Sequence, residues 1–222
     1  MRELILLTDA FLSDRIRART TLLEENDFVE GVREATQILR HTFFRPNILF
    51  LHLRPDSDLA EMQALVDKTA AYRMGIMLLA RHPIKELGRE QVINVWASPQ
   101  GPAWQHDLRK SNLDLAILMA YQISQNWRGR INLCMAVADE PTAKQGTQFL
   151  TELIDLARLP SQTEVHVIAA PFMQAVQSAP QADLSTFGLP KEPDLRFYQE
   201  IVSVVDGSCI FIRDSGEESA LA

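Results

Sequence analysis

A chain of 222 residues with 46% hydrophobic and 23% charged side chains has ordinary globular composition, enough for one large domain or two small ones. Its net charge is −7, with 13 basic and 14 acidic residues up to position 100 against 9 and 15 beyond it, so the surplus acid lies in the second half. That balance, together with the lack of any Lys/Arg cluster interleaved with aromatics, excludes nucleic acid and anionic membrane surfaces as direct ligands.

In chain order, the first apolar segment predicts a strand at residues 3–8, and ARTTLLEEN holds a candidate short strand within the otherwise unassigned segment 9–25. Asn26 or Asp27 is placed to cap a helix over 28–41, with Phe28, Val32, Ala35 and Leu39 on one face. Phe43-Phe44-Arg45-Pro46 ends it, since a residue before proline is pushed out of the α region. NILFLHL at 47–53 reads as a strand covered on both faces. Ser57 or Asp58 starts a helix through Leu59, Met62, Leu65, Val66 and Thr69, and GIMLLA at 75–80 is the next buried strand.

The connection 82–90, HPIKELGRE, has no apolar period, and the domain boundary falls there. The same grammar then repeats: strand 91–97, helix 111–125, strand 130–137, helix 142–158, strand 163–169, short helix 172–177, strand 183–187, helix 195–205 and strand 208–213. Ser111 with Asp114 three residues on has the form of a capping box. The run LAILMAY, Leu115 to Tyr121, is apolar on every face, so that helix is expected to be covered on all sides. Its seven residues fall far short of the roughly 20 that span a bilayer, so direct membrane insertion is not expected.

These elements give an α/β fold of two doubly wound, mostly parallel sheets, with a first subdomain over 1–88, a second over 89–214 and a polar, mobile tail at 215–222. Cys134 and Cys209 each lie inside an apolar run and read as inert core thiols. MRELILLTDAF lacks the form of a signal peptide, and the expected setting is reducing and cytosolic.

No constellation for catalysis emerges. GxGxxG, GxxxxGK[ST] and GxSxG are all absent, and the five histidines, His41, His52, His82, His106 and His166, lack metal-ligand spacing. After the strand ending at Phe187 the sequence is GLPKEPDLRF. A universal-stress-type phosphate turn would need a glycine near 191 and a Gly-Ser or Gly-Thr pair about ten residues later, where Lys191 and Ile201 stand. Asp139-Glu140 sit at a strand end, but Pro141 behind them makes helix-start chemistry the simpler account. Trp96, Trp104 and Trp127 bracket the central helix and read as structural cover before ligand stacking. Catalytic, cofactor and metal residues are therefore all expected to be none, and the loop Ser98 to Lys110 is a candidate contact surface.

Four segments carry a resemblance: NDFVEGVREATQILR with FRPNILFLHL, then NLDLAILMAYQISQNWRGRINLCMAV, APFMQAVQSAPQADLSTFGLP, and VDGSCIFIRDSGEESALA. In order and spacing they resemble the cytosolic C-terminal domain of prokaryotic cation–chloride cotransporters, from about residue 26 to the end. The resemblance implies two α/β halves related to the universal-stress fold. It also implies a non-catalytic, cofactor-free regulatory and dimerisation module at the cytosolic face, serving a membrane part that moves chloride with potassium, sodium or both. Its partners would be a second copy and that transmembrane domain. HTFFR stands where the family usually has a glycine-rich turn, and the first half looks short, so the first sheet is expected to be truncated. Its open edge would be used for pairing or covered by segment 9–25. The alternative function is a universal-stress-like nucleotide-binding protein, and an enzyme ranks third.

Overall fold

A computed structural model of the chain describes residues 11, 24–40, 46–99, 104, 113–190 and 192–221. They divide into two compact units, 1–45 and 46–222. In the first, helix α1, Phe28–Arg40, starts where Asp27 Oδ1 accepts the Glu30 N–H at 2.9 Å, the cap expected from sequence. Its most enclosed side chain is Thr36, whereas Phe28 and Leu39 are exposed. Both were expected to share one apolar face with Val32 and Ala35, which are half-buried. The expected strand 3–8 lies outside the described residues, as does most of segment 9–25.

The second unit alternates strand and helix. β1 is Ile48–His52, α2 Leu59–Ala71, β2 Gly75–Ala80, β3 Val92–Ala97, α3 Leu113–Trp127, β4 Arg130–Val137 and α4 Glu140–Leu156. β5 is Glu164–Ala169, α5 Phe172–Ser178, β6 Leu184–Gly188, α6 Leu195–Val204 and β7 Ser208–Arg213. The strands run in the order β1-β2-β7-β6-β3-β4-β5, all pairs parallel except β2 with β7.

The mostly parallel α/β arrangement stands, but the count of sheets is corrected: the described strands form one sheet of seven instead of two sheets. β7 is the cause. Each residue of Ser208–Arg213 is buried, and a strand enclosed on both faces must also satisfy both of its backbone edges. It does so by pairing β6 on one side and β2 on the other, with Ile212 opposite Met77 and Gly188.

One face of the sheet packs Ile93, Val95, Leu133, Met135, Ile210 and Ile212 against α3 and α4, whose Ile117, Ala120, Leu150 and Leu153 are buried. The opposite face holds an aromatic cluster beneath α5 and α6, in which Trp96 stacks on Phe187 with centroids 5.8 Å apart and Tyr198 meets Phe211 edge-on at 4.8 Å. α2 covers β2 and is tied to β7 by Arg213, whose Nη2 donates to Thr69 Oγ1 at 2.7 Å and to the Val66 carbonyl. On the same side as the aromatic cluster, Asn132 and Asn94 are register partners on β4 and β3. Asn132 Nδ2 donates to Asn94 Oδ1 at 2.8 Å and Asn94 Nδ2 to the Pro180 carbonyl at 2.7 Å, which fixes the connection from α5 to β6.

Two burial expectations are corrected. β1 was expected to be covered on both faces, yet Phe50 is 53% exposed and His52 is exposed, because β1 stands at the end of the described strand order and its far face has little packed on it. α3 was expected to be covered on all sides, yet Leu118 and Tyr121 lie on an open stripe while Leu113, Leu115, Ala116, Ile117, Ala120 and Ser124 face inward. A helix lying on a sheet is covered on one side only, whatever its composition.

Candidate functional site

In an open parallel sheet the carboxyl ends of the strands are the usual ligand position. Here two of them, those of β4 and β6, lead into helix starts that already hold a carboxylate. Asp139 is the N-cap of α4, and its Oδ1 accepts the Thr142 N–H at 2.8 Å. Hydrogen bonds from the Thr142 side chain and backbone hold that carboxyl below the usual range. Asp194 caps α6 in the same way, accepting the Arg196 N–H at 3.0 Å. A phosphate brought to either helix would meet a carboxylate in place of free N–H groups.

The turn after β6, where a universal-stress-type protein would cradle phosphate, is filled. Leu189 is 0% exposed and its N–H donates to the Ile212 carbonyl at 2.6 Å, while the Tyr198 hydroxyl donates to the Gly188 carbonyl at 3.0 Å. Burial pushes the Tyr198 hydroxyl up to about 12, so it remains a donor at neutral pH. Isothermal calorimetry with millimolar ATP or AMP is accordingly expected to show no binding heat, and saturable binding would restore the nucleotide reading.

The tryptophans occupy structural positions. Trp96 is buried in the aromatic cluster, also meeting Phe172 edge-on at 5.7 Å. Trp104 is the described anchor of the loop 98–110: its Nε1 donates to Gln145 Oε1 at 3.0 Å, and its ring lies 5.8 Å from that of Phe149 on α4. Gly146 lies beneath it, where a Cβ would press on Met135 Sδ at 3.1 Å and Val167 Cγ1 at 3.3 Å and would only touch the indole, at 3.5 Å. Trp127 packs on the core beneath α3. The rest of that loop, apart from residues 98 and 99, lies outside the described residues, as do His41 and His106. His166 sits on β5, 3.3 Å from Glu164, and no group of three His, Cys, Asp or Glu among the described residues is arranged for a metal. Cys134 and Cys209 are 0% exposed, and burial pushes both thiols up to about 12, which leaves them unreactive at neutral pH.

Sequence reading missed two knots of polar contacts. The first closes the connection between β2 and β3. His82 N donates to Ser208 Oγ at 2.9 Å, and the Ser208 hydroxyl donates to the Glu86 carbonyl. Asp183 Oδ1 accepts the Arg89 N–H at 2.8 Å, and its Oδ2 accepts those of Gln91 and Val92 at 2.9 Å each. Lys85 and Gln181 both reach Asp206 across a polar cleft of about 480 Å³. On the walls of this cleft Lys85 and Gln181 are engaged with Asp206, and Asp183 with the backbone of Arg89, Gln91 and Val92. An Asp before a β-strand gives no sequence signal of this kind.

The second knot corrects the expectation of a mobile tail. Asp114 Oδ1 accepts the Ala220 N–H at 2.6 Å, Asp214 Oδ1 accepts the Leu115 N–H at 3.3 Å, and Ala220 belongs to the main core cluster. The residues after β7 are thus pinned to the amino end of α3. Asp114, expected to serve a capping box with Ser111, is buried at 3% exposure and binds the tail. Ser111 lies outside the described residues.

Comparison with known proteins agrees with this picture. Residues 1–87 match the family described as prokaryotic cation-chloride cotransporter, C-terminal domain, 1st, and residues 88–221 match the 2nd domain of the same description. No curated protein matches the chain. Among solved structures, the cytoplasmic domain of a prokaryotic cation chloride cotransporter is 31% identical, with a TM-score of 0.88 over 98% of this chain and 81% of that one. A universal stress protein from Archaeoglobus fulgidus DSM 4304 is 11% identical, with a TM-score of 0.60 over 95% of this chain and 74% of that one, a likeness of fold alone.

Proposed function

The chain belongs to the family of prokaryotic cation–chloride cotransporter C-terminal domains, and from that membership we propose that it is the transporter's non-catalytic, cytosolic regulatory and dimerisation module. The observation that carries the reading is the consecutive match of both C-terminal modules across residues 1–221. No described helix is long and apolar enough to cross a membrane, so movement of chloride with potassium, sodium or both is assigned to a membrane part. On this reading the two modules meet within the connection 82–90, whose backbone is held by Asp183 and Ser208.

On this reading the module acts through surfaces. One pairs with a second copy about a two-fold axis, and another rests against the membrane part, so that a difference in contact between transport states shifts the transport equilibrium. Two measurements test it. Sedimentation at micromolar concentration is expected to give a dimer, and a monomer there overturns the pairing. Chloride-dependent rubidium uptake into proteoliposomes is expected to change when the transporter lacks this module, whereas equal uptake rates with and without it overturn the regulatory role.

A further inference from the structure

A row of polar side chains crosses the sheet on the face that also carries the aromatic cluster. Asn132 on β4, Asn94 on β3 and Ser185 on β6 are successive register partners, exposed by only 0%, 2% and 3%. Asn132 donates to Asn94, and Asn94 goes on to the Pro180 carbonyl. Two atoms of the row stay open. Asn132 Oδ1 is enclosed without a partner, and the Ser185 hydroxyl makes no hydrogen bond among the described residues. A buried polar group in that state lowers stability unless water or a ligand meets it.

Ser185 is within reach of a ligand. With Asn94 and Trp96 it lines a recess of about 320 Å³, at the small end of the range for small-molecule sites. Val176 and Ala179 line it from the carboxyl end of α5, and Val204 and Val205 from that of α6. Its electrostatics have one sign. Among the described residues no Lys, Arg or His lines it, whereas Asp206 does, and the last turn of α6 brings the negative end of a helix dipole. Lys85 and Gln181 hold Asp206 by Oδ2, and its Oδ1 makes no hydrogen bond among the described residues. A ligand suited to these groups donates hydrogen bonds, carries positive charge and has an apolar body to lie along the valines.

We propose that the recess between the carboxyl ends of α5 and α6 binds a small organic ammonium ion, which donates to Ser185 Oγ and lays its alkyl part against Val176, Val204 and Trp96. The site is distinct from the filled turn after β6, and it stands whether or not the transporter reading holds. Gln181 and Ala182 line both this recess and the cleft of about 480 Å³ beside the connection 82–90. Asp183, which holds that connection, follows them directly. An occupied recess therefore stiffens the segment on which the connection is fastened.

The test is an NMR titration of the full chain, labelled with nitrogen-15, with n-butylammonium chloride at constant ionic strength. Saturable shifts are expected for the Ser185 and Val205 N–H groups and the Asn94 side-chain amide, with a dissociation constant on the order of millimolar for so small a ligand. The Leu150 N–H, on the helix layer across the sheet, should not move. Ser185→Ala should weaken binding roughly tenfold, the loss of one hydrogen bond to a charged group. Ala179→Leu puts bulk into the recess at a half-buried position and should abolish saturation, an independent arm should the first variant fold poorly. n-Butanol, of equal length but uncharged, should bind at least roughly tenfold more weakly, and sodium butyrate should not saturate. Shifts that fail to saturate with n-butylammonium mean that the recess holds water only, which overturns the site. Equal affinity for n-butanol overturns the ammonium assignment, and undiminished binding in both variants overturns the placement.

Discussion

Asp183→Ala is expected to lower the melting temperature by roughly 6–12 °C at neutral pH, from a loss of about 3 kcal/mol at 2–4 °C per kcal/mol for a chain of this size. The side chain accepts three backbone N–H groups from the connection that joins β2 to β3, those of Arg89, Gln91 and Val92. Hydrogen bonds to a charged acceptor contribute about 1.5–3 kcal/mol each, but two of these lie at the surface, so the sum is discounted. The backbone of Asp183 is committed as well, donating to the Val92 carbonyl at 3.0 Å and accepting from Ser208 N at 3.2 Å. Gly88 is shaped to this carboxylate: at φ +62° a Cβ would come within 2.2 Å of Asp183 Oδ1.

The pH response of the same variant follows from the direction of the shift. Partial burial favours the neutral acid, but the N–H groups of Arg89, Gln91 and Val92 and the Arg89 charge outweigh it and leave the carboxyl below its usual value. A group depressed in the folded state contributes stability that is present above its unfolded value, about 4, and is lost as pH falls through the folded value. Melting curves of the native protein and Asp183→Ala should therefore converge in acid and stand furthest apart at neutral pH. A constant gap from pH 7 down to pH 2 contradicts this assignment.

Phe211→Ala should be more damaging still, by about 3–5 kcal/mol, the range for truncating a buried aromatic. Phe211 is 0% exposed on β7 and touches Tyr198 at 4.8 Å and Phe187 at 5.7 Å between centroids. Its removal opens a void among side chains from three elements, and the fold can close it only by moving α6 or the sheet. At the same conversion the melting temperature falls by roughly 6–20 °C. Near-UV circular dichroism should lose intensity with it, because Trp96, Phe187 and Tyr198 share that environment. Phe50→Ala on β1 is the contrast: the ring is 53% exposed, and the effect should stay within about 0.5 kcal/mol. Equal destabilisation by both substitutions would show that the aromatic cluster is not the packing centre of its face.

Much of the fold is legible in the chain because the information is local. Apolar runs such as RINLCMAV and SCIFIR fix strands at Arg130–Val137 and Ser208–Arg213, and Asp27 marks the start of α1. Surface roles are harder to read. Asp194 directly precedes the apolar start of α6 and could have been recognised as a cap, whereas nothing near Asp183 in sequence points to Arg89, 94 positions earlier. Nor does anything near Asp114 in sequence point to the hydrogen bond it accepts from Ala220, 106 positions away.

By itself, the sequence determined the order of elements and the inert thiols, and it lacks a glycine-rich phosphate turn, since each depends on residues within a few positions of one another. It also carried the family, in four segments that later proved to belong to two consecutive modules. Only the tertiary structure decided that the described strands make one sheet, that α3 has an open stripe and that the last residues are docked. Each of those depends on which backbone edge, helix face or carboxylate meets which partner. Composition sets how much surface must be buried; the path of β7 between β6 and β2 sets against what.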